Sequence, residues 1–213
     1  MVSDLQRAQR GAVNKGLIIF LVIVVVLGVV FWKSTAGAYN SFVKNDETVQ
    51  EKWAGLEGQY KRRTDLIPQL VSTVKGAAGF ETETYTAVTE ARAKATSINF
   101  EKAPTDEAEL ERFMAAQGEV SSSLSRLLVS VENYPQLRAT EAFRDLQSQI
   151  EGSENRIAVA RGDYITAVKN FNTALRTFPN NIIAGFTEFK PIPQLPQDSA
   201  AVREVPTIDF GEG

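Results

Sequence analysis

The densest cluster of charged side chains is Lys61-Arg62-Arg63-Thr64-Asp65. Its guanidinium groups could bind a partner carboxylate or a lipid phosphate, because arginine recognises both anions through paired hydrogen bonds. Arg63, however, falls on the apolar face of the helix predicted around it, where a guanidinium must be paired and hydrogen-bonded. This placement favours an ion-pair network that joins helices over a ligand site.

Two other groups of polar residues interrupt apolar helical sequence, Glu90-Ala91-Arg92 and Glu154-Asn155-Arg156, with Arg161 five residues further on. Together with the charged cluster they could form a polar layer inside a helical bundle. Such layers usually set the register of the helices rather than react. The residues predicted to serve a polar layer or an interaction are Arg62, Arg63, Asp65, Pro68, Glu90, Arg92, Glu154, Asn155, Arg156, Arg161 and Tyr164.

The sequence contains few of the residue types that common catalytic sites use. The chain contains no histidine and no cysteine, which excludes Ser-His and Cys-His nucleophilic pairs, disulfides and the common zinc sites. Di-iron bundles also need a Glu-x-x-His motif, and glycosidases need convergent carboxylates. The carboxylate groups at Glu81/Glu83, Glu107/Glu109/Glu111 and Glu151/Glu154 are therefore interpreted as solvated faces. We predict a protein that is not an enzyme and has no catalytic residues, cofactor or metal.

An uncharged, almost wholly apolar run extends from Gly16 to Trp32, between Lys15 and Lys33. Seventeen helical residues measure about 25 Å, which is at the short end of what spans a bilayer core. Trp32 and Tyr39 suit the aromatic belt at the membrane interface. We predict a single transmembrane helix, by which the chain binds the membrane.

Two other interpretations of this run stay open, a buried core helix and a signal peptide cleaved near Ala36-Gly37-Ala38. Counting lysine and arginine alone gives three before the run and three within about 20 residues after it, so orientation is weakly specified. The upstream residues belong to a short tail that is hard to translocate, which favours a bundle outside the cytoplasm.

The charge beyond the membrane run bears on partners. Residues 1–33 hold four of the 23 basic and one of the 26 acidic residues, so the rest carries 19 basic and 25 acidic residues. An acidic soluble part is a poor match for a phosphate backbone. We therefore exclude nucleic acid and expect a protein partner or a homo-oligomer.

Apolar residues then recur three or four positions apart in four stretches, as in helices that bury one face. The first stretch runs from Val49 to Val74, and Pro68 should kink or restart that helix. The second covers about 81–97. Val88, Ala91 and Ala95 lie on its apolar side.

The third stretch begins after Asp106, which can cap a helix with Glu109 as its partner. The fourth is the longest, from Pro135 to Phe178, and so long a helix needs neighbours to cover its apolar face. Two long and two shorter helices predict an all-α fold, an antiparallel four-helix bundle of long helices with an N-terminal transmembrane helix and an extended C-terminal tail.

Four segments follow from this pattern. They are a short polar tail (1–15), a transmembrane anchor (16–38), the helical bundle (39–185) and a proline-containing C-terminal tail (186–213). The last is expected to be extended and partly docked through Phe186, Phe189, Ile208 and Phe210.

Two strings in the chain are specific in combination, RR-x-DLIP-x-LV from Arg62 to Val71 and ENRI-x-x-AR-x-x-Y from Glu154 to Tyr164. With these the chain resembles the LemA family. The resemblance covers about residues 39–210 and implies an N-terminal membrane anchor and a long-helix bundle, with no established enzymatic activity. Some relatives are linked to membrane-organelle biogenesis in magnetotactic bacteria, and others are regarded as accessory factors. Shorter matching strings are VTEAR (88–92), YPQLRATEAFRDLQ (134–147), FN (171–172), FPNN (178–181) and VPTIDF (205–210).

The predicted function is a non-enzymatic scaffold or adaptor in the bacterial cell membrane, anchored by one span, whose bundle binds itself or another envelope protein. The alternative is an extracytoplasmic sensory or accessory factor for a membrane peptidase or membrane-organelle biogenesis. Sensor bundles normally return to a second membrane helix, and the sequence has no second apolar run. A hydrolase that uses carboxylates alone is the third interpretation, which the missing histidine weakens.

Overall fold

The computed structural model describes residues 15–76, 80–98, 100 and 102–196. Within these ranges the secondary structure is helical, without strands, which confirms the all-α prediction. The helices are α1 (Lys15–Lys75), α2 (Thr82–Ser97), α3 (Glu107–Val131), α4 (Pro135–Arg138), α5 (Glu141–Arg176) and α6 (Asn180–Ala184).

The chain divides into two compact units, here called the anchor unit (Met1–Lys44 and Ala174–Lys190) and the bundle unit (Asn45–Thr173 and Pro191–Gly213). Both α1 and α5 contribute to both units. The described part of the bundle unit holds the bundle portions of α1 and α5 together with α2, α3 and α4.

Contacts along α1 set the directions of its neighbours in the bundle unit. Trp53 lies 5.4 Å from the Tyr164 ring, and Arg63 pairs with Glu154, so α5 runs antiparallel to α1. On α3 the contacts follow the same order as on α1, with Phe113 beside Trp53 and Gln117 beside Arg63, so α3 runs parallel to α1. Arg92 on α2 donates a hydrogen bond to Thr64, and Phe100, further along the chain, lies beside Trp53. The chain therefore runs antiparallel to α1 in α2. Successive long helices therefore alternate in direction, as predicted for the bundle.

The apolar faces predicted from residue spacing form the core. One cluster packs Ile67, Leu70 and Val74 of α1 against Val88 of α2 and residues of α3 and α5. A second layer is aromatic and contains Trp53, Tyr60, Phe100, Phe113 and Tyr164. Along α1, Arg63 lies between these two layers.

Pro68 neither ends nor restarts α1, contrary to one expectation for this residue. The helix continues through it to Lys75. Proline removes one backbone donor, so the Thr64 carbonyl loses its usual partner four residues later. Arg92 supplies a replacement, since its Nε donates to the Thr64 carbonyl at 3.0 Å.

The prediction that the fourth helix begins at Pro135 and reaches Phe178 was wrong at both ends. Pro135 opens the one-turn helix α4, where its missing N–H costs nothing. Helix α5 then begins after Thr140, whose side-chain oxygen accepts a hydrogen bond from the Phe143 amide. At the other end α5 stops at Arg176, and Phe178 is exposed rather than part of the core.

In the anchor unit, the apolar run of α1 is covered by no other described residue. All large apolar side chains from Leu17 to Trp32 are exposed, and this helix is long and apolar enough to cross a membrane. That exposure argues against the buried-core interpretation. Phe189 packs edge-on against Tyr39 and Phe42, at 5.9 and 6.0 Å between ring centroids, as the docking prediction required.

Phe186 does not dock, and its side chain is exposed. Ile208 and Phe210, also expected to dock the tail, lie outside the described residues. The proline-containing stretch Pro191 to Pro196 of the bundle unit has no helix, as expected of an extended tail.

Candidate functional site

The polar cluster around Arg63 is the main concentration of buried polar groups. Arg63 itself is 1% exposed. Its Nη1 donates to Ser121 Oγ at 2.6 Å and to Glu154 Oε1 at 2.9 Å, and its Nη2 donates to the carbonyl and Oε1 of Gln117 at 3.1 and 2.8 Å. The guanidinium also lies 5.2 Å from the centre of the Tyr60 ring. We call Arg63, Gln117, Ser121 and Glu154 the Arg63 cluster.

The Arg63 cluster ties three helices together at one level. A buried guanidinium is costly unless its charge is compensated and its donors are satisfied. Glu154 compensates the charge, and its side chain is 42% exposed, so the carboxylate keeps contact with water. Because α1, α3 and α5 each contribute one or two groups, a shift of any helix by one turn would break the network. The cluster thus fixes the register of the bundle.

Arg92 forms a second polar connection, between α2 and α1. As described above, it donates to the Thr64 carbonyl that Pro68 leaves without its usual partner. Thr64 is buried, so an unpaired carbonyl there would be expensive. Arg92 and Pro68 therefore act as a pair, although they are 24 positions apart in the chain.

The segment after α6 is held on α5 by a third set of polar contacts. Asn172 Nδ2 donates to the Ile192 carbonyl at 2.8 Å, and the Ile192 amide donates to Asn172 Oδ1 at 2.9 Å. Arg161 Nη2 donates to the Pro196 carbonyl at 2.8 Å. Ile192 and Leu195 are buried, so this stretch of tail belongs to the core of the bundle unit.

Tyr164 lies in the aromatic layer and is fully buried. Its hydroxyl and the Trp53 indole nitrogen have no hydrogen-bond partner among the described residues. Burial disfavours the charged phenolate and raises the pKa of Tyr164 to about 12. The residue is therefore neutral at any physiological pH and is unsuited to act as a base.

The structure separates the predicted site residues into two sets. Arg63 and Glu154 meet directly, and Arg92, Arg161 and Tyr164 lie in the other contacts described above. The remaining predicted residues form an exposed set that does not join the polar layer. Asp65, one of them, pairs only loosely with Lys61, at 3.8 Å. Its members are Arg62, Asp65, Pro68, Glu90, Asn155 and Arg156.

Two of the exposed residues line a shallow groove on the surface of the bundle. Asn155 and Arg156 share it with Gln59, Val159 and Asp163, and its volume is about 370 Å³. Val159 is 68% exposed, so an apolar side chain lies among polar ones there. In the ENRI string, consecutive residues thus serve opposite sides of α5, with Glu154 and Ile157 inward and Asn155 and Arg156 outward.

The chemistry that the inward residues can support is limited. A cavity of about 280 Å³ lies beside the Arg63 cluster, lined also by Tyr60, Ile157 and Arg161. Its lining carboxylate, Glu154, is held in an ion pair with Arg63. Across the described residues, no three carboxylate, histidine or cysteine side chains are grouped to share a metal ion. The arrangement binds helices to one another.

Sequence reasoning did not identify three of the residues in these contacts as polar partners. Gln117 lies buried on the apolar face of α3, but its pairing with Arg63 was not predicted. Ser121 and Asn172 were not singled out at all. A polar side chain at an apolar position of a helix, as with Gln117, is the signal that could have pointed to a buried partner.

Comparison with known proteins bears on the identity of the chain. The model of the LemA family matches residues 52–210. The magnetosome protein MamQ 2 of Paramagnetospirillum magneticum is 26% identical over 205 residues, which cover 87% of this chain and 73% of that protein. MamQ of Magnetospirillum gryphiswaldense is 24% identical, with the same coverage of each chain.

A third relative carries the family's own name. Protein LemA of Metamycoplasma hominis is 24% identical over 155 residues, covering 73% of this chain and 67% of that protein. The family model covers well over half of the chain, including the Arg63 cluster and the contacts of Arg92 and Asn172. The chain belongs to the LemA family.

Proposed function

We propose that this protein is a membrane-anchored, non-enzymatic scaffold or adaptor whose helical bundle binds itself or another envelope protein. The observation that carries the proposal is the division of its polar residues. The polar residues that face the interior make contacts between helices, as in the Arg63 cluster. The exposed polar residues, such as Asn155 and Arg156, contribute little to packing, which leaves them available for a partner.

The groove at Asn155 and Arg156 is the proposed binding surface. A protein interface combines apolar contact with polar groups around it, and this groove has Val159 beside Arg156 and Asp163. Arginine is also among the residues that contribute most to protein interfaces. An interface here would leave the interior of the bundle unchanged.

The anchor supports a location at the membrane. The run from Gly16 to Trp32 supplies one helix able to span a bilayer, and no other described helix meets the same test. We propose a single span in a bacterial cell membrane, with the bundle on the extracytoplasmic side.

A second candidate function is an extracytoplasmic sensory or accessory factor, for a membrane peptidase or for membrane-organelle biogenesis. Two of the relatives described above are magnetosome proteins by name, which favours the organelle version. In that case the same surface would bind a component of the organelle membrane.

Crosslinking in native membranes tests the proposal. The full chain and the variant Arg156→Ala are crosslinked and purified, and the captured proteins are identified by mass spectrometry. Arg144→Ala, which removes another exposed arginine of α5, is the matched control. We expect a specific product, either a second copy or another envelope protein, that is lost in Arg156→Ala and kept in Arg144→Ala. A product that survives both substitutions would exclude this surface, and no specific product at all would contradict the scaffold role.

A further inference from the structure

The short helix α6 and the residues around it present an exposed apolar patch in the anchor unit. Phe178, Ile182 and Phe186 are 76%, 55% and 89% exposed. Ile182 lies in α6, and Phe178 and Phe186 lie in the turns just before and just after it. Single exposed apolar residues are common on proteins, but three large ones within nine positions form a patch that marks an interaction surface.

The contacts of Phe189, close to this patch in sequence, indicate what covers it. Phe189, three residues beyond Phe186, packs against Tyr39 and Phe42 of α1. Tyr39 follows the last residue of the apolar run, Trp32, by seven positions, which is about 10 Å of helical rise. The α6 segment is thus attached to α1 where that helix leaves the hydrocarbon core and passes the headgroup region.

The charges of the segment fit the same environment. Arg176 and Lys190 lie on either side of the patch, and Glu188 is the acidic residue among 174–190. Basic residues beside exposed aromatic and aliphatic side chains are typical of segments that lie in a membrane interface near anionic lipids.

We infer that residues 178–186 form a second membrane contact, in which Phe178, Ile182 and Phe186 insert into the interfacial layer of the bilayer beside α1. The occupant of the patch is lipid, and the contact makes the anchor unit a two-point attachment. This inference rests on the insertion of α1 in the membrane.

The absence of cysteine from the chain makes a direct test possible, because each introduced thiol is unique. Ile182→Cys and Phe186→Cys are labelled with a nitroxide in the full chain and reconstituted into nanodiscs of phosphatidylethanolamine and phosphatidylglycerol. Power-saturation EPR then compares accessibility to oxygen, which partitions into lipid, with accessibility to a water-soluble nickel chelate. Val25→Cys in the apolar run is the lipid reference. Val129→Cys and Arg144→Cys, both at exposed positions, are the references in the bundle unit.

We expect the ratio of oxygen to nickel accessibility at positions 182 and 186 to be several-fold above that at 129 and 144. Nickel accessibility equal to that of the bundle references would overturn the inference. Protection from both reagents would also overturn it, because a protein rather than lipid would then cover the patch. If the label at position 25 is itself accessible to nickel, the anchor fails as well, which separates that failure from failure of the second contact alone.

Discussion

The two parts of α1 use the same helical backbone in different surroundings. From Leu17 to Trp32, in the anchor unit, large apolar side chains occur all around the helix and are exposed. From Val49 to Val74, in the bundle unit, apolar residues keep to one face and are buried against neighbouring helices. A helix that is apolar on all sides needs an apolar solvent, whereas one with a single apolar face needs only protein neighbours.

The same comparison explains where a charge is tolerated. The apolar run has no charged residue between Lys15 and Lys33, and no described residue covers it to supply a partner. In the bundle unit Arg63 is buried on the apolar face because α3 and α5 supply four acceptor atoms. The substitutions below test how much stability the polar contacts between helices of the bundle unit contribute.

The largest effect is expected for Arg63→Ala. It leaves Glu154 and the Gln117 acceptors without their partner and should lower the free energy of unfolding by roughly 3–5 kcal/mol. The lower part of that range is expected, because Glu154 keeps contact with water. Denaturant unfolding followed by circular dichroism measures it. Arg62→Ala removes the exposed neighbouring arginine and should change stability by less than about 0.5 kcal/mol. Equal effects of the two substitutions would show that the Arg63 cluster does not hold the bundle together.

Tyr164 should make the bundle less stable at alkaline pH. Its pKa is raised to about 12 in the folded protein, while an unfolded tyrosine titrates near 10. The contribution is complete below pH ~10 and is lost as the pH rises towards 12, a loss of about 2–3 kcal/mol. Tyr164→Phe should remove this part of the pH dependence. At pH 7 the substitution should change the free energy of unfolding very little, since the hydroxyl has no hydrogen-bond partner among the described residues. Unfolding curves of both proteins between pH 9 and pH ~12 measure the difference, and parallel losses in the two would contradict the assignment.

A smaller effect, about 1–3 kcal/mol, is expected for Arg92→Ala, because it leaves the buried Thr64 carbonyl unpaired. The cost should shrink when Pro68 is also replaced by alanine, since residue 68 then regains an amide that can donate to Thr64. A double-mutant cycle on the two substitutions isolates this coupling. If Arg92→Ala costs the same with and without Pro68, the two residues are independent and the explanation of the uninterrupted helix is wrong.

Residue spacing was sufficient to predict most of the core. Val49, Trp53, Leu56 and Tyr60 recur on one face of α1, and all are buried. Arg63 interrupts that face, so burial and pairing could be expected of it from sequence. The family resemblance was also correct, as the match over residues 52–210 shows.

The pairing between helices could not be predicted in the same way. Spacing gives the face of a helix that turns inward, but not the level at which a facing helix meets it. Gln117 and Ser121 therefore could not be assigned to Arg63, and Glu90 and Asp65 were placed in a polar layer that they do not join. Helix ends depended on local capping, and so the start of α5 after Thr140 was missed.

Truncation tests the central claim most directly, namely that the bundle folds by itself, without a membrane and without a bound metal. The measurement is thermal unfolding by circular dichroism of a fragment that begins at Tyr39, with and without EDTA. We predict a soluble, strongly helical fragment that unfolds cooperatively at the same temperature in both conditions, because its apolar faces cover one another. An insoluble fragment, or loss of helicity on adding EDTA, would contradict the account.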